Sequence, residues 1–439
     1  MRFVNGYKGL SLKETAYWKK LFNERLVIGT EIEFESNNGS SYSTVRDELD
    51  RNGVSGLFRN GIDDIKSDGS LNCGAEVTTK PRFVDSFIQM YTGYNHIVSN
   101  LYQFDPLIKT RAGWHNHISL MTVGYMQGNE LPIPEVIVKN IITLFKLYYP
   151  ALRYFTSTMP ESQKCITRYD EFCESDQLSE YDSTNNLYDS LETMTEERYE
   201  AVNLRGIECN NGQVERFRIE TRFPDCSLFP AQMAAYNILC KALILKAIEL
   251  SHMGLINSDI TEDFSDLYMI ANSYIEYKKS YNSHTRDMFI EKQDEYSRAS
   301  AFLKDEYMEQ IKINGADLLN LLKGEILSID GKALKYIQMI METPISEKFR
   351  ELNTEDIREV NEYYEEIIDK DYESIVDESI EEVSKIISLE SINNVTSTDQ
   401  WIDNVGRMLA CKTDIKEVIQ KINTIRPLCF SYERGYFFV

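Results

Sequence analysis

Three glutamates stand two residues apart near the start of the sequence, at Glu31, Glu33 and Glu35, with Ile32 and Phe34 between them. Residues two apart lie on one face of an extended strand, so the carboxylates would share a face and the apolar pair would occupy the other. Carboxylate oxygens are the ligands that Mg²⁺ and Mn²⁺ prefer. The segment predicts a strand with a metal-binding face and a core face.

A second segment, 113–120, has the same spacing with different donors. His115, His117 and Ser119 would share one strand face. Glu76 follows the turn 67–70 within a segment that predicts two paired strands. Each of these strands alone is typical of an ordinary half-solvated antiparallel strand.

Segment 214–223 carries a third alternating row, in which the charged residues are Arg216, Arg218, Glu220 and Arg222. Arginine presents planar pairs of donors that match phosphate oxygens. We predict one strand whose charged face adds phosphate-binding groups to the carboxylates.

The coincidence of these rows carries more information than any one of them. One sheet face would collect Glu31, Glu33, Glu76, His115, His117 and Glu220. Gathered on one sheet face, they would repel one another unless cations were present. A mostly carboxylate set with an imidazole suits Mg²⁺ or Mn²⁺, whereas zinc more often recruits thiolates or three imidazoles. Metal ions beside arginines predict phosphoryl-transfer chemistry.

Strand and helix signals alternate over the elements that must position these residues. We predict helices over 11–24, from Pro132 and Pro134 to about Tyr149, and over 231–252. The predicted strands lie at 26–35, within 62–80, at 111–120 and at 214–223.

The remainder of the chain has helical spacing of apolar residues, as at Ile357, Val360, Tyr364 and Ile367. We therefore predict a catalytic domain over 1–254, with an acidic surface insertion at 158–197. A helical accessory region would occupy 255–439, with a candidate strand in the final residues.

The formal net charge of −23 is unevenly distributed. Segment 158–197 contributes −9 and segment 351–390 contributes −12, so about −2 remains for the rest of the chain. The catalytic part can therefore hold an anionic ligand without a general negative field. No basic stripe with interleaved aromatic residues is present, which argues against a nucleic-acid partner.

Three further features bear on location. The most apolar segments, 136–148 and 242–250, are interrupted by lysines and fall short of the ~20 residues of a membrane span. The start, MRFVNGYKGL, lacks the apolar run of a secretory signal. Eight cysteines without C-x-x-C spacing favour reduced thiols. We expect a soluble, cytoplasmic protein without a membrane partner.

These motifs resemble those of a known superfamily. Segment 113–120 resembles the G-x-H-x-H-x-S-L segment of glutamine synthetases, and segment 218–225 resembles their R-I-E-x-R-x-P-D strand. Glu31-x-Glu33 is similar to their metal-binding E-x-E strand, and the order of the motifs is also theirs. The spacing around Asp68 and Glu76 is similar to the amidoligase branch of the glutamine synthetase and glutamate–cysteine ligase superfamily. The resemblance covers about residues 26–250.

The resemblance implies a metal role for five residues. Glu31, His115 and Glu220 would hold the ion that engages the transferring phosphate. Glu33 and Glu76 would hold a second ion near the acceptor carboxylate. ATP and two or more Mg²⁺ (or Mn²⁺) ions are the implied cofactors.

It also implies roles in nucleotide binding and catalysis. His117, Ser119, Arg218 and Arg216 would contact the nucleotide phosphates. The catalytic set would be Arg222, Glu220 and Arg218, with Arg222 stabilising charge on the transferred phosphoryl group. The implied fold is α+β, a curved antiparallel sheet with helices on one side and the site on its concave face.

The sequence departs from glutamine synthetases in three places. The second ion lacks an obvious third carboxylate, for which Glu35 or water would substitute. The segment that holds ATP is not visible upstream of Arg111, and the glutamate-binding arginine motif is absent, with Arg198 or Arg205 as candidate substitutes. These departures argue against glutamine synthetase itself and leave the substrates open.

The prediction is an ATP-dependent carboxylate–amine ligase that works through an acyl phosphate. Its substrates would be small molecules, peptides or protein tails. Two other functions stay open. A two-metal phosphohydrolase or nuclease would use the same carboxylates without ATP, and a non-catalytic interaction protein would use the acidic helical region as its surface.

Overall fold

The structure, a computed structural model, describes residues 1–51, 62–69, 71–109, 112–120, 132–158, 178, 181–194, 201–210, 213–259, 307–342 and 351–368. The chain divides into two compact units, Met1–Ile357 and Arg358–Val439. The described part of the second unit, 358–368, is helical. None of the described helices is long and apolar enough to span a bilayer.

The helices of the described residues are α1 (Leu12–Arg25), α2 (Tyr42–Arg51), α3 (Phe87–Leu101), α4 (Glu135–Leu147), α5 (Tyr149–Thr156), α6 (Leu187–Met194), α7 (Pro230–Leu250), α8 (Tyr307–Ile329), α9 (Ala333–Glu342) and α10 (354–368). The strands are β1 (Leu26–Ser36), β2 (Ile62–Lys66), β3 (Ala75–Thr79), β4 (Arg82–Phe83), β5 (Pro106–Lys109), β6 (Trp114–Leu120), β7 (Ile133–Pro134), β8 (Val202–Asn203), β9 (Glu208–Asn210), β10 (Gln213–Arg216), β11 (Arg218–Thr221) and β12 (Glu351–Leu352).

The strands form two antiparallel sheets. The large one has the order β12-β5-β1-β6-β11-β8, with β3 pairing to β1 and β2, and β4 to β1. The small one has the order β7-β10-β9. The predicted α+β architecture with an antiparallel sheet is confirmed.

Strand β1 carries opposite chemistry on its two faces. Ile28, Ile32 and Phe34 are buried in the core. Thr30 shares their face and lies 2.6 Å, Oγ1 to OH, from Tyr94 of α3. The core therefore lies between this face of the sheet and the helices, and Glu31 and its neighbours on the opposite face are left for the site.

Helix α7 is the central helix of the core, and nearly all of its residues are buried. It packs against α1, α3, α4, α8 and α9. Pro230 occupies its first turn, where a missing N–H costs nothing. On its sheet side, the ring of Tyr236 packs edge-on against Trp114 of β6 at 5.1 Å.

The amino-terminal helix α1 begins as its sequence predicts. Ser11 is the N-cap and accepts from the Glu14 backbone N–H at 3.2 Å, while the Glu14 carboxylate accepts from the Ser11 N–H at 2.9 Å. This reciprocal capping box fixes the start of a helix whose end leads directly into β1.

The prediction of one strand over 214–223 is wrong. The chain forms β10 in the small sheet and β11 in the large sheet, with Phe217 between them. The pairing register shifts between Val214 and Arg216, and the buried Phe217 ring packs on Phe22 of α1 at 5.5 Å. A bulge and one buried aromatic ring thus move the chain from one sheet to the other.

The described residues of segment 158–197 include both exposed and buried side chains. They contain α6, and Ser183 and Leu187 are fully buried. Lys146 of α4 donates to the Tyr181 carbonyl at 2.7 Å, and Ser183 donates to the Ile256 carbonyl at 2.8 Å. The predicted acidic insertion over 158–197 stays a prediction.

The described helices beyond residue 254 confirm the helical character predicted there. Helix α8 packs against α5 and α7, within the first unit. The predicted division at residue 254 stays a prediction. The predicted carboxyl-terminal strand, Arg111 and Arg198 lie outside the described residues.

Candidate metal centre

Strand register brings the predicted ligands onto one face of the large sheet. Glu31 of β1 pairs with His115 of β6. Glu220 of β11 pairs with His117 of β6. Glu33 of β1 pairs with Glu76 of β3, described below. Paired residues share a face, so four neighbouring strands, β3, β1, β6 and β11, supply this set of side chains.

Glu31 lies at the centre of the first group. Its Oε2 is 3.2 Å from His115 Nδ1, and its Oε1 is 2.8 Å from His117 Nε2. Glu220 Oε1 is 3.8 Å from His115 Nδ1. Glu31, His117 and Glu220 each offer one possible metal-ligand atom, and these three atoms lie within 4.8 Å of one another. The structure thus brings together the three predicted ligands of the first ion and adds His117.

Arg218 decides which nitrogen of His117 carries the proton. Its Nη2 lies 2.8 Å from His117 Nδ1. A guanidinium only donates, so Nδ1 accepts, and in a neutral ring Nε2 then bears the hydrogen. A protonated Nε2 donates to an oxygen and does not bind a metal ion. This contact favours His117 as a donor to an anion and disfavours it as a ligand.

His115 has the complementary arrangement. Its Nδ1 faces Glu31, a partner that fixes a proton on Nδ1. Its Nε2 is buried without a hydrogen-bond partner, 3.8 Å from Glu33 Oε1. A carboxylate that holds one ring nitrogen and leaves the other unprotonated is the usual surrounding of a metal-binding histidine. The orphaned Nε2 therefore fits a cation.

The second group consists of Glu33, Glu76 and Asp68, whose nearest carboxylate oxygens lie within 4.8 Å of one another. Glu33 is almost fully buried, and its Oε2 accepts from the Gly113 N–H at 2.7 Å. Asp68 follows β2 in the turn that leads to β3. The sequence analysis did not assign Asp68 as a ligand, and its short spacing to Glu76 is the signal that could have found it.

Glu35 does not belong to the second group, although it shares the face of Glu31 and Glu33. Its Oε2 is 3.0 Å from Lys109 Nζ, and its Oε1 accepts from Asn72 at 3.4 Å. The suggestion that Glu35 supplies the third carboxylate is therefore replaced by Asp68. Two carboxylate groups with an imidazole between them are a donor set that suits Mg²⁺ or Mn²⁺.

Electrostatics divide the carboxylates into two kinds. Burial opposes ionisation of Glu31, but hydrogen bonds from His115 and His117 outweigh it and lower the pKa of Glu31 far below its ordinary value. Burial, followed by repulsion from Glu31, raises the pKa of Glu76 to about 7, with Lys66 acting in the opposite direction. Without a cation, Glu76 is the group that relieves the crowding by holding a proton.

A cavity of about 910 Å³ opens beside the first group. Its lining includes Glu31 and all four residues predicted to contact a nucleotide, which are His117, Ser119, Arg216 and Arg218. Arg216 is also paired with Glu208, its Nη1 2.7 Å from Oε1. The remaining predicted catalytic residue, Arg222, donates to Glu220.

The same cavity also has apolar lining residues. They include Trp18 and Leu21 of α1 together with Phe217. Sequence reasoning missed these residues, because the apolar face of a capped helix is equally typical of core packing. Arg205, a candidate substrate-binding residue, lies exposed in the turn between β8 and β9.

Comparisons with known proteins add the following. No family model matches the chain, and no curated protein matches it. A solved bifunctional glutathione synthetase from Pasteurella multocida matches with 13% identity and a TM-score of 0.33, covering 76% of this chain and 54% of that one. This chain thus spans about half of that protein's length.

Two further solved structures match. The ligase PafA, in complex with the prokaryotic ubiquitin-like protein Pup, matches with 11% identity and a TM-score of 0.33, covering 72% of this chain and 67% of that one. Apo GmaS matches with 13% identity and a TM-score of 0.35, covering 75% and 71%. The TM-scores of all three matches are below 0.5.

Proposed function

We propose that the protein is an ATP-dependent carboxylate–amine ligase. The observation that carries this proposal is two clusters of carboxylates beside a cavity lined by arginines. One cluster contains Glu31 and Glu220, and the other contains Glu33, Asp68 and Glu76. A nucleoside triphosphate and a carboxylate are both anions and repel each other. Cations and guanidinium groups neutralise this charge and allow the two to react.

Two Mg²⁺ or Mn²⁺ ions would neutralise the phosphate and acceptor carboxylate oxygens when bound. Glu31 and Glu220 would hold the first ion. His115, whose Nδ1 faces Glu31, would offer its Nε2, 3.8 Å from Glu33 Oε1, to an ion on the side of the second group. Glu33, Glu76 and Asp68 would hold the second. Because Arg218 occupies Nδ1 of His117, the ring hydrogen lies on Nε2, which is 2.8 Å from Glu31 Oε1. This hydrogen would turn to a phosphate oxygen once an ion engages Glu31.

The proposed reaction has two balanced steps. A substrate carboxylate oxygen attacks the γ-phosphorus of ATP, and ADP leaves with the electrons of the broken P–O bond. The amine nitrogen then attacks the acyl carbon, phosphate leaves, and the amine gives up a proton. Arg222, held beside Glu220, stabilises the negative charge on the transferred group.

The cavity suggests how a nucleotide lies. Its polar lining residues include His117, Ser119 and Arg218, which suit phosphate oxygens. Trp18 and Phe217 also line it, and their rings suit packing against a purine ring. A base at these rings and phosphates toward Glu31 would place the terminal phosphate beside the carboxylates.

We infer further that the large sheet corresponds to the curved sheet of the glutamine synthetase type, with its site on the concave face. Antiparallel strands with helices behind one face and carboxylates on the other support this inference. The substrates would be a carboxylate and an amine carried by small molecules, peptides or protein tails.

The test is thermal stabilisation of the purified chain by Mg-ATP. Wild type at ~100 times the dissociation constant should gain about 2.7 kcal/mol. Glu220→Gln should lose this gain, because it removes a carboxylate of the first group. Glu35→Gln is the matched control, since this glutamate shares the strand face but pairs with Lys109, and it should keep the gain.

Formation of ADP that requires both a carboxylate and an amine would complete the assignment. The proposal is wrong if Mg-ATP does not stabilise wild type. It is also wrong if the chain cleaves phosphate esters without ATP, which is the behaviour of a two-metal hydrolase.

A further inference from the structure

A closed ring of buried hydrogen bonds lies directly behind the candidate metal centre. Its members are Thr30 of β1, Asn116 of β6, Tyr94 of α3 and Asn237 of α7. All four side chains are at most 1% exposed. None of them was singled out by the sequence, and the proposed reaction does not use them.

The hydrogen bonds of the ring run in one direction. Asn237 donates to Tyr94 OH at 2.6 Å, and Thr30 donates to Asn116 Oδ1 at 2.9 Å. Because the single hydroxyl hydrogen of Thr30 is used there, Tyr94 OH must donate to Thr30 Oγ1, 2.6 Å away. Asn116 closes the ring by donating to Asn237 Oδ1 at 2.6 Å.

Trp114 adds a fifth donor, with its Nε1 2.9 Å from Asn116 Oδ1. Every member of the ring therefore both donates and accepts. A fully satisfied buried network is stable only in one arrangement, since a displaced member would leave its neighbours unpaired in a dry core.

Two members of the ring are neighbours of predicted ligands in the chain. Thr30 directly precedes Glu31, and Asn116 stands between His115 and His117. In a strand these neighbours point to opposite faces, so the ring holds the back of the same backbone that presents the ligands in front. The two strands are held to each other and to two helices at the level of the site.

We propose that the ring formed by Thr30, Tyr94, Asn116 and Asn237 is a positioning device for the metal ligands, an inference that rests on the proposed function. It fixes the spacing of β1 and β6, and thereby the distances among Glu31, His115 and His117. An apolar core of the same volume would hold the strands together without specifying that spacing as narrowly.

The test measures divalent-cation affinity by titration calorimetry with Mg²⁺ and Mn²⁺, without nucleotide. Thr30→Val keeps the shape and removes the hydroxyl, and we expect a loss of affinity of ~10-fold, as for partners that orient metal ligands. Thr30→Ser retains the hydroxyl and should bind at nearly wild-type affinity.

Asn237→Leu breaks the ring from the helix side and should lose affinity as well. Asn140→Leu is its matched control. Asn140 is also a fully buried asparagine, but on α4 it bonds Ser251, Gly254 and Ile256 away from the site. This control should lose stability like Asn237→Leu and keep wild-type cation affinity.

The outcomes separate the two proposals. A wild type that binds no divalent cation overturns the proposed function and this inference together. If wild type binds but Thr30→Val binds equally well, the inference is wrong and the proposed function stands. Equal losses of affinity in Asn140→Leu and Asn237→Leu would likewise show a general effect of stability and overturn it.

Discussion

Two histidines beside Glu31 differ in the atoms that surround them. The Nε2 atoms of both are buried without a hydrogen-bond partner, but Nδ1 of His115 faces Glu31, whereas Nδ1 of His117 accepts a hydrogen bond from Arg218. The sequence motif assigned the first to a metal ion and the second to phosphate, and hydrogen-bond direction supports the same division. The division stays a prediction that two substitutions can test.

His115→Gln should weaken divalent-cation binding at least ~10-fold, because a ligand is lost. His117→Gln should keep cation affinity and weaken ATP binding by ~10-fold, the worth of one hydrogen bond to a charged group. Calorimetric titrations with Mg²⁺ alone and then with Mg-ATP measure both quantities. The reverse result would exchange the two assignments.

Arg222→Ala should lower the rate of acyl-phosphate formation by ~10²–10³-fold while ATP affinity changes little, since its charge acts on the transferring group. Single-turnover measurement of ADP formation tests this expectation. Arg51→Ala removes an arginine that is also paired with a glutamate, Glu48, on the distant helix α2, and should retain full activity. If Arg222→Ala matches wild type, Arg222 has no such role.

Alternation alone placed Glu31, Glu33, His115, His117 and Glu220 on one face, because strand geometry leaves no other choice. Alternation could not place Asp68, because Asp68 lies in a turn and the direction of its side chain depends on the backbone there. The sequence did not reveal the position of Trp18 in the cavity lining for another reason. A helix residue that lines a cavity has the same sequence signature as one that packs in a core.

At the scale of elements, the hairpin β2–β3 depends on one glycine. Gly74 has φ of +108°, and a Cβ at this position would lie 2.1 Å from the Phe34 carbonyl oxygen of β1. Any side chain here must push β3 away from β1. Glu33 and Glu76, which face each other across these strands, would separate.

Gly74→Ala should therefore cost about 1–3 kcal/mol in free energy of unfolding and also weaken cation binding. Urea unfolding and Mg²⁺ titration measure the two effects. Gly69→Ala lies in the same hairpin, where a Cβ meets nothing within 4 Å, and should change neither. Unchanged cation binding in Gly74→Ala would mean that Glu76 is not a ligand.

Element boundaries followed the sequence where local chemistry fixes them. Ser11 with Glu14, and Pro230, mark helix starts that the structure confirms. The break at Phe217 was missed because both flanking segments have strand spacing. What separates them is packing of one ring against Phe22 of α1, more than 190 residues earlier in the chain.

At the scale of the molecule, burial of Glu76 and repulsion among the crowded carboxylates lower the stability of the metal-free protein at high pH. The pKa of Glu76 rises from 4.5 to about 7, so the folded state binds this proton more tightly than the unfolded chain does. The contribution of this proton to the free energy of unfolding is therefore fully present below the unfolded pKa. It is lost as the pH rises from about 4.5 through about 7.

Glu76→Gln should abolish this loss. In EDTA at pH 8 its melting temperature should exceed that of wild type by ~2–5 °C, with the difference shrinking toward pH 5. Thermal scans across this range measure it, and Asp64→Gln, on the exposed side of β2, is the control that should track wild type. A difference that does not vary with pH would contradict the assignment.

The α+β character and the shared face of the ligands followed from the sequence, whereas the packed residues 181–194 did not. Many of their hydrogen bonds, from Lys139, Lys146 and Ser183, are made to backbone carbonyls, and carbonyls leave no mark in a sequence.

The use of both faces of β1 has a consequence for changes in its length. Deleting or inserting one residue between Val27 and Thr30 would turn the Thr30 hydroxyl toward solvent and the Glu31 carboxylate into the core, along with every later residue of the strand. We therefore expect this strand to tolerate no change of one residue in length.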